Sequence, residues 1–151
     1  MNYEEALPFL RKNHKGVVST NRPDGSTHSS IVVCGIYENN PTFVSVYPKS
    51  QKIVNLRKNP NCTLVSVTGD WRNYVVIEGT VSMMDYKDTD KELMRTKLRE
   101  AYMSCSDNPH PNWEEYDEAM IRQKAVIVSI KPSRVYGCLL YTSDAADDLT
   151  R

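Results

Sequence analysis

Apolar positions in this chain come in short runs separated by turn residues. "GVVSTN" (16–21), "THSSIVVCGIY" (27–37) and "TFVSVY" (42–47) read as three strands, because each is rich in β-branched and aromatic residues. "RPDG" (22–25) and "ENNP" (38–41) carry the Pro, Gly, Asp and Asn of tight turns, so the three strands predict a meander of hairpins. "CTLVSVT" (62–68) and "YVVIEGTVSMM" (74–84) repeat the pattern around a "GDWRN" turn (69–73). "AVIVSIK" (125–131) is a sixth strand, which Pro132 is expected to close. Glu78-Gly79 predicts a bulge or sharp coil inside the fifth strand, since Gly weakens a strand but permits a bend.

A second period appears between the strands. Glu4–Lys12 predicts a short helix with Leu7 and Leu10 inward, and Ser50–Asn59 a second, with Ile53 and Leu56 inward and Pro60 ending it. Met94, Leu98 and Tyr102 recur at four-residue spacing and predict a helix over 88–103. Trp113, Tyr116, Ala119 and Met120 lie on one side of another at Trp113–Arg122, after the loop "SCSDNPHPN" (104–112).

Several strands are apolar on both faces: Ile31 and Val33 against Val32 and Cys34, Val75 and Ile77 against Val76. A one-sided sheet alternates more cleanly. The expectation is a mainly β chain with α elements, a six- to seven-stranded antiparallel split β-barrel flanked by short helices, with helices or a second subunit outside. The barrel domain is expected to occupy 1–137. The segment 138–151, "CLLYTSDAADDLTR", has no period that continues the pattern and turns small and acidic. It resembles translated adaptor peptides at the ends of gene fragments, so it is expected to be a non-native or disordered tail.

Composition narrows the function. Hydrophobic residues make up 40% and charged residues 25%, which fits a globular chain. The net charge is zero, which argues against a nucleic-acid binder. "MNYEEALPFLRK" at the start lacks the apolar core of a secretory signal, and no apolar run approaches a membrane span, so a cytoplasmic protein without membrane partners is expected. Cys34, Cys62, Cys105 and Cys138 are far apart, without a CxxC pair, and read as reduced, mostly buried thiols. The sequon at Asn61-Cys62-Thr63 reads as accidental. His14, His28 and His110 have no metal-ligand spacing, and no GxSxG elbow, GxGxxG or Walker loop is present. No metal is expected.

The chemistry concentrates at the strand-to-helix junction "YPKSQKIVNLRKNP" (47–60). Arg57 and Lys58 near the helix C-terminus oppose its partial negative charge, which is ordinary. Lys49 and Lys52 stand at the N-terminal end, which is already positive. Ser50 at the N-cap position, free amides behind it and the two lysines make a site for a small anion such as phosphate. Asn55, three residues past Lys52, is expected to face roughly the same way and add a donor. Solvated lysines and a helix-packing Asn are the alternative. Trp71 on a turn reads either as an edge packed on a helix or subunit, or as the wall of a ligand pocket.

The order of strands, "KSQKIVNLRKNP", "VVIEGTV" and "NWEEYDEAM" followed by "VYG" together resemble the pyridoxamine 5'-phosphate oxidase-like, FMN-binding split-barrel superfamily. Within it the chain is most similar to the oxidoreductases that use the deazaflavin coenzyme F420. The resemblance spans roughly 7–137. It implies a homodimer with two cofactors at its interface, hydride transfer to a small organic substrate, and no catalytic side chain. It also implies cofactor contacts residue by residue. Lys52 would hold the phosphate and Asn55 would assist from the same helix. Ser29, Ser30, Ile31, Val32 and Val33 would lie along the ring, with Ser45 and Val46 beside them. Lys49, Ser50 and Gln51 would border the phosphate, and Trp71 and Tyr74 would reach the pocket across the dimer.

The chain also departs from the pattern. Gln51 and Ser30 stand where the oxidases usually carry Arg, and Ser50 stands where the deazaflavin branch often has a second cation, for which Lys49 can substitute. The terminal Arg-containing segment that grips pyridoxal phosphate is missing, so vitamin B6 oxidation is not expected. FMN is the alternative cofactor to F420. A flavin-dependent reductase or oxidase, or a non-catalytic flavin or deazaflavin carrier, are the alternative functions.

Overall fold

The computed structural model describes residues 1–140. Ten elements follow one another: α1 (Tyr3–Lys12), β1 (Lys15–Asn21), β2 (Thr27–Tyr37), β3 (Asn40–Ser45), α2 (Gln51–Lys58), β4 (Asn61–Val67), β5 (Tyr74–Met84), α3 (Lys91–Ser104), α4 (Trp113–Arg122) and β6 (Val126–Cys138). The strands close into an antiparallel barrel in the order β1-β2-β3-β6-β5-β4, with β4 pairing back onto β1. This is the expected mainly β architecture with short flanking helices, built from six strands.

Local chemistry accounts for the elements. Glu38 (φ 51°) and Asn39 (φ 66°) turn β2 into β3, the two left-handed residues that a tight hairpin with matching twist requires. Side-chain caps from Asn2, Asp90 and Asn112 start α1, α3 and α4. The cap at Asp90 moves the start of α3 past the expected residue 88. The preceding stretch is instead a turn, in which Asp85 Oδ1 accepts from the Lys87 and Asp88 amides.

The sixth strand does not stop at Pro132. It runs on to Cys138, because Pro132 sits at an irregularity where Gly79 pairs with Pro132 while Glu78 pairs with Arg134. The bulge expected at Glu78-Gly79 is therefore shared across the ladder, and it accommodates a proline that a regular central strand would reject. A Cβ at Gly79 would lie 2.2 Å from Lys131 O, so only glycine fits there. Cys138, assigned by sequence to the tail, is the last residue of β6, and Leu139 packs against the barrel core. The remainder of the expected tail, 141–151, lies outside the described residues.

Inward-facing Val18, Leu64, Phe43, Val75, Ile77, Val128 and Ile130 fill the barrel, and Ala6 and Leu10 of α1 and Ile53 and Leu56 of α2 join the same core. A second cluster lies outside the wall, where Met94 and Leu98 of α3 and Tyr116 and Met120 of α4 meet Ile127 of β6. Two-faced burial of β6 thus has a helix layer as its cause. On β2 the two faces differ: Val32 and Cys34 are buried, whereas Ile31 is 83% and Val33 61% exposed. Gly35 lets α3 lie against β2, since a Cβ there would come within 2.0 Å of Ser104 O. No helix among the described residues is long and apolar enough to cross a membrane.

Candidate functional site

Helix α2 begins differently from the other three. Ser50 occupies the N-cap position with extended backbone, as expected, but its side chain caps no amide; its Oγ lies 3.4 Å from Ser45 Oγ. The first turn has no acid, whereas α1, α3 and α4 carry Glu4 and Glu5, Glu92, and Glu114 and Glu115 there. In place of an acid the first turn holds Lys52, half-buried and without an ion-pair partner among the described residues. Burial holds its ammonium below the usual lysine range. Open first-turn amides, the positive end of the helix dipole and a partly desolvated lysine belong to the same turn, and these are donors of the kind a phosphate takes. Lys49 is exposed two residues before this turn and Gln51 is exposed within it. The residues present therefore fit the phosphate end of a flavin-type cofactor.

Asn55 is placed otherwise than the sequence reading expected. It is fully buried (0% exposed), donates from Nδ2 to Thr20 Oγ1 at 3.0 Å and accepts from Gln51 Nε2 at 2.7 Å. Three residues along a helix leave two side chains about 60° apart, enough to carry Asn55 to the inner face while Lys52 stays at the margin. Its amide fastens α2 to β1 and presents no free donor outward.

Strand β2, expected to lie along the ring, also divides. Ser29, Ile31 and Val33 face outward from β2, while Ser30 and Val32 alternate inward. Ser30 Oγ and His28 Nδ1 are buried without a hydrogen-bond partner among the described residues. Ser45 is buried, and Val46 follows the end of β3, half-buried. Trp71 is 78% exposed, with φ 65° in the β4–β5 turn. That turn is stiffened locally: Asp70 Oδ1 accepts from Thr68 Oγ1 and the Arg72 amide, and the Asn73 amide donates to Thr68 Oγ1. Trp71 thus presents a large apolar ring to solvent from a left-handed position in a stiff turn. Tyr74 follows at the start of β5, partly exposed.

Two cavities flank the outward row of β2. One, of about 280 Å³, lies between Ile31, Val17, Val67 and Trp71. The other, of about 360 Å³, reaches from Val33 and Val46 under α3 and α4. The structure thus brings Ile31 and Trp71 together and Val33 and Val46 together, with the α2 terminus as a separate polar centre. Sequence reasoning left out the second cavity's helical wall. The spacing of Tyr102, Tyr116 and Met120 marked them only as inward-facing, and nothing local signals that two helices leave a gap above β3.

Reactive groups near these cavities are muted. Burial pushes the Cys105 thiol up to about 12 and raises the Tyr116 phenol, so both keep their protons near neutrality. The described residues contain no group of three or more His, Cys, Asp or Glu that could hold a metal ion.

A sequence model of the pyridoxamine 5'-phosphate oxidase family matches residues 3–138, and the chain belongs to that family. Its members bind flavin-type cofactors, and the superfamily includes oxidoreductases. Among solved structures, a conserved hypothetical protein from Mycobacterium tuberculosis superposes with a TM-score of 0.71 at 21% identity, over 91% of this chain and 84% of that one. An F420 reductase gives a TM-score of 0.58 at 20% identity, over 87% of this chain and 94% of the other. A pyridoxamine 5'-phosphate oxidase-related, FMN-binding protein from Nostoc punctiforme gives 0.59 at 14% identity, over 89% and 78%. At these identities the likeness is one of fold.

Proposed function

We propose that this chain is an oxidoreductase that transfers hydride between coenzyme F420 and a small organic substrate, working as a homodimer. The observation that carries the reading is the uncapped, acid-free start of α2 with its desolvated Lys52, which has no ion-pair partner among the described residues. For a phosphate-bearing cofactor anchored there, the outward row Ser29, Ile31 and Val33 is the face proposed for its ring. The deazaflavin ring, when bound, supplies the hydride chemistry. The chain's own residues would do the rest: Lys52 and the α2 amides would hold the anion, with Lys49, Ser50 and Gln51 around it, and Ile31 and Val33, exposed in the protomer, would give the ring an apolar surface to cover. With the Cys105 thiol and Tyr116 phenol held protonated, no side chain is assigned as a general base.

The same face supports the homodimer. Ile31, Val33, Trp71 and Tyr74 are exposed apolar or aromatic residues on and beside the β2–β1–β4 wall, and a patch of this kind marks an association surface. The preference for F420 rests on the "WEEY" segment (113–116) with Ala119 and Met120, and on the F420 reductase among the structural neighbours. A second reading, an FMN-dependent reductase or oxidase, is favoured by the FMN-binding neighbour, whose fold is equally similar. A carrier without turnover is a third. Titrating F420 and FMN into the protein and following absorbance tests the reading. Tighter binding of F420, with acceptor-dependent reoxidation of its reduced form, is expected. Tighter binding of FMN moves the chain to the flavin branch, and binding without turnover of any acceptor makes it a carrier.

A further inference from the structure

The cavity under α3 and α4 begins at Val33 and Val46, on the outward row of β2 and just past β3, and ends against the helices at Tyr102, Tyr116 and Met120. Its volume, about 360 Å³, is within the range of small-molecule sites. None of its lining residues is charged. Most of its polar side chains are committed to the protein. Tyr116 donates to Leu98 O at 2.9 Å, Cys105 Sγ to Thr42 O at 3.5 Å, and Ser106 Oγ to Asn108 O at 2.8 Å.

Its helical wall is stiff. The rings of Tyr102, His110, Trp113 and Tyr116 pack with centroids 5.2 to 5.9 Å apart, mostly edge to face. The loop behind it is tied down by His14, whose Nδ1 donates to Cys34 O at 2.8 Å and whose Nε2 lies 3.2 Å from Asp107 Oδ1. A pre-formed cavity with aromatic and aliphatic walls rewards a flat apolar molecule. An anion would lose its hydration there with no partner in return.

We propose that this cavity is the substrate side of the site and takes a neutral, ring-bearing organic molecule, held between the β2–β3 wall and the Tyr102–Tyr116 pair. The substrate role rests on the proposed oxidoreductase reading; the binding preference rests on the cavity alone.

The test compares 2-acetylnaphthalene with 2-naphthoate, which share a ring system and differ in charge. Binding is followed by calorimetry and by intermolecular NOEs to tyrosine ring protons, with and without saturating F420 or FMN. The neutral ketone is expected to bind with NOEs to Tyr102 and Tyr116, and the carboxylate at least about tenfold more weakly. Bound cofactor should change the ketone's affinity by less than about threefold, and Ser106→Phe, which puts a ring into the cavity, should weaken it at least about tenfold while cofactor affinity stays unchanged. Equal binding of both probes, or NOEs elsewhere, overturns the proposal. Displacement of the ketone by cofactor also overturns it, because the cavity would then be the cofactor's own. If neither cofactor binds, the oxidoreductase reading fails while the ketone and naphthoate arms still decide what the cavity accepts.

Discussion

Asn55 Nδ2 donates to Thr20 Oγ1 across 3.0 Å in a fully buried contact that fastens α2 to β1. Removing the amide leaves a buried hydroxyl without its donor, at a cost of about 1–3 kcal/mol. Asn55→Ala is therefore expected to lower Tm, at about 2–4 °C per kcal/mol for a domain of this size. Cofactor affinity measured well below Tm should move less than about threefold, because Asn55 holds the helix and not the ligand. Adding Thr20→Val should cost less than the two single changes summed, since the pair acts as a unit. A large loss of cofactor binding by a fully folded Asn55→Ala protein would restore the residue to the site.

Two cations of the same helix should separate cleanly. Lys52 stands at the N-terminal turn without an ion-pair partner among the described residues, and Lys52→Ala is expected to weaken F420 or FMN binding about tenfold to a hundredfold, the worth of one charge-assisted hydrogen bond. The free protein should lose no stability, because removing Lys52 relieves its conflict with the helix dipole. Arg57 is different: its Nη2 lies 2.8 Å from Asp85 Oδ2. Arg57→Ala should leave cofactor affinity nearly untouched and destabilise the fold by about 1–2 kcal/mol, because Asp85 is left short of a partner. Parallel titrations and thermal melts check both halves. Equal affinity losses in the two variants would mean a diffuse charge effect and no phosphate site at α2.

Ile31→Asp tests the association surface. At 83% exposure the substitution costs the protomer little, but a carboxylate buried between two copies without a partner opposes association. Light scattering is expected to give a dimer for the unmodified chain and a shift toward monomer for the variant. Its circular dichroism should stay the same. A variant that keeps the dimer mass would move the interface away from β2.

The parts of this fold that were legible are those fixed by local chemistry. β2 and β5 matched their expected bounds because each ends in turn residues, and α4 because Asn112 caps it. The misreadings are tertiary. Pro132 normally ends a central strand, and only the opposed Gly79 makes it tolerable, a partner about fifty residues away in sequence. Asn55 and Lys52 share a helix and a polar character, and Thr20, on a strand distant in sequence, decides that one turns inward. The junction at 47–60 stands out in the sequence because lysine at a helix start conflicts with the dipole within a single turn. The second cavity was not, because it is space left between three elements.

The desolvation of Lys52 gives the phosphate reading a pH signature. In the free protein its ammonium titrates below the usual lysine range because burial penalises the charge. A bound phosphate supplies the missing opposite charge and raises that pKa. Below the free-state pKa the lysine is charged before and after binding, so this residue adds no pH dependence to affinity. Between the free-state and bound-state values, binding must take up a proton, and affinity falls by about tenfold per pH unit. The alkaline fall should therefore begin earlier than for an ordinary lysine, near ~10.4. Folding of the free protein has the opposite sign. Its folded-state pKa lies below the unfolded one, so the unfolded chain binds more protons between the two, and this residue's contribution to stability rises with pH across that window. Lys52→Arg keeps its charge throughout and should flatten both profiles on the alkaline side. Affinity titrations and melts over neutral to alkaline pH, on the unmodified protein and on Lys52→Arg, read both effects. An alkaline fall that survives unchanged in Lys52→Arg would assign it to another group and detach Lys52 from the bound anion.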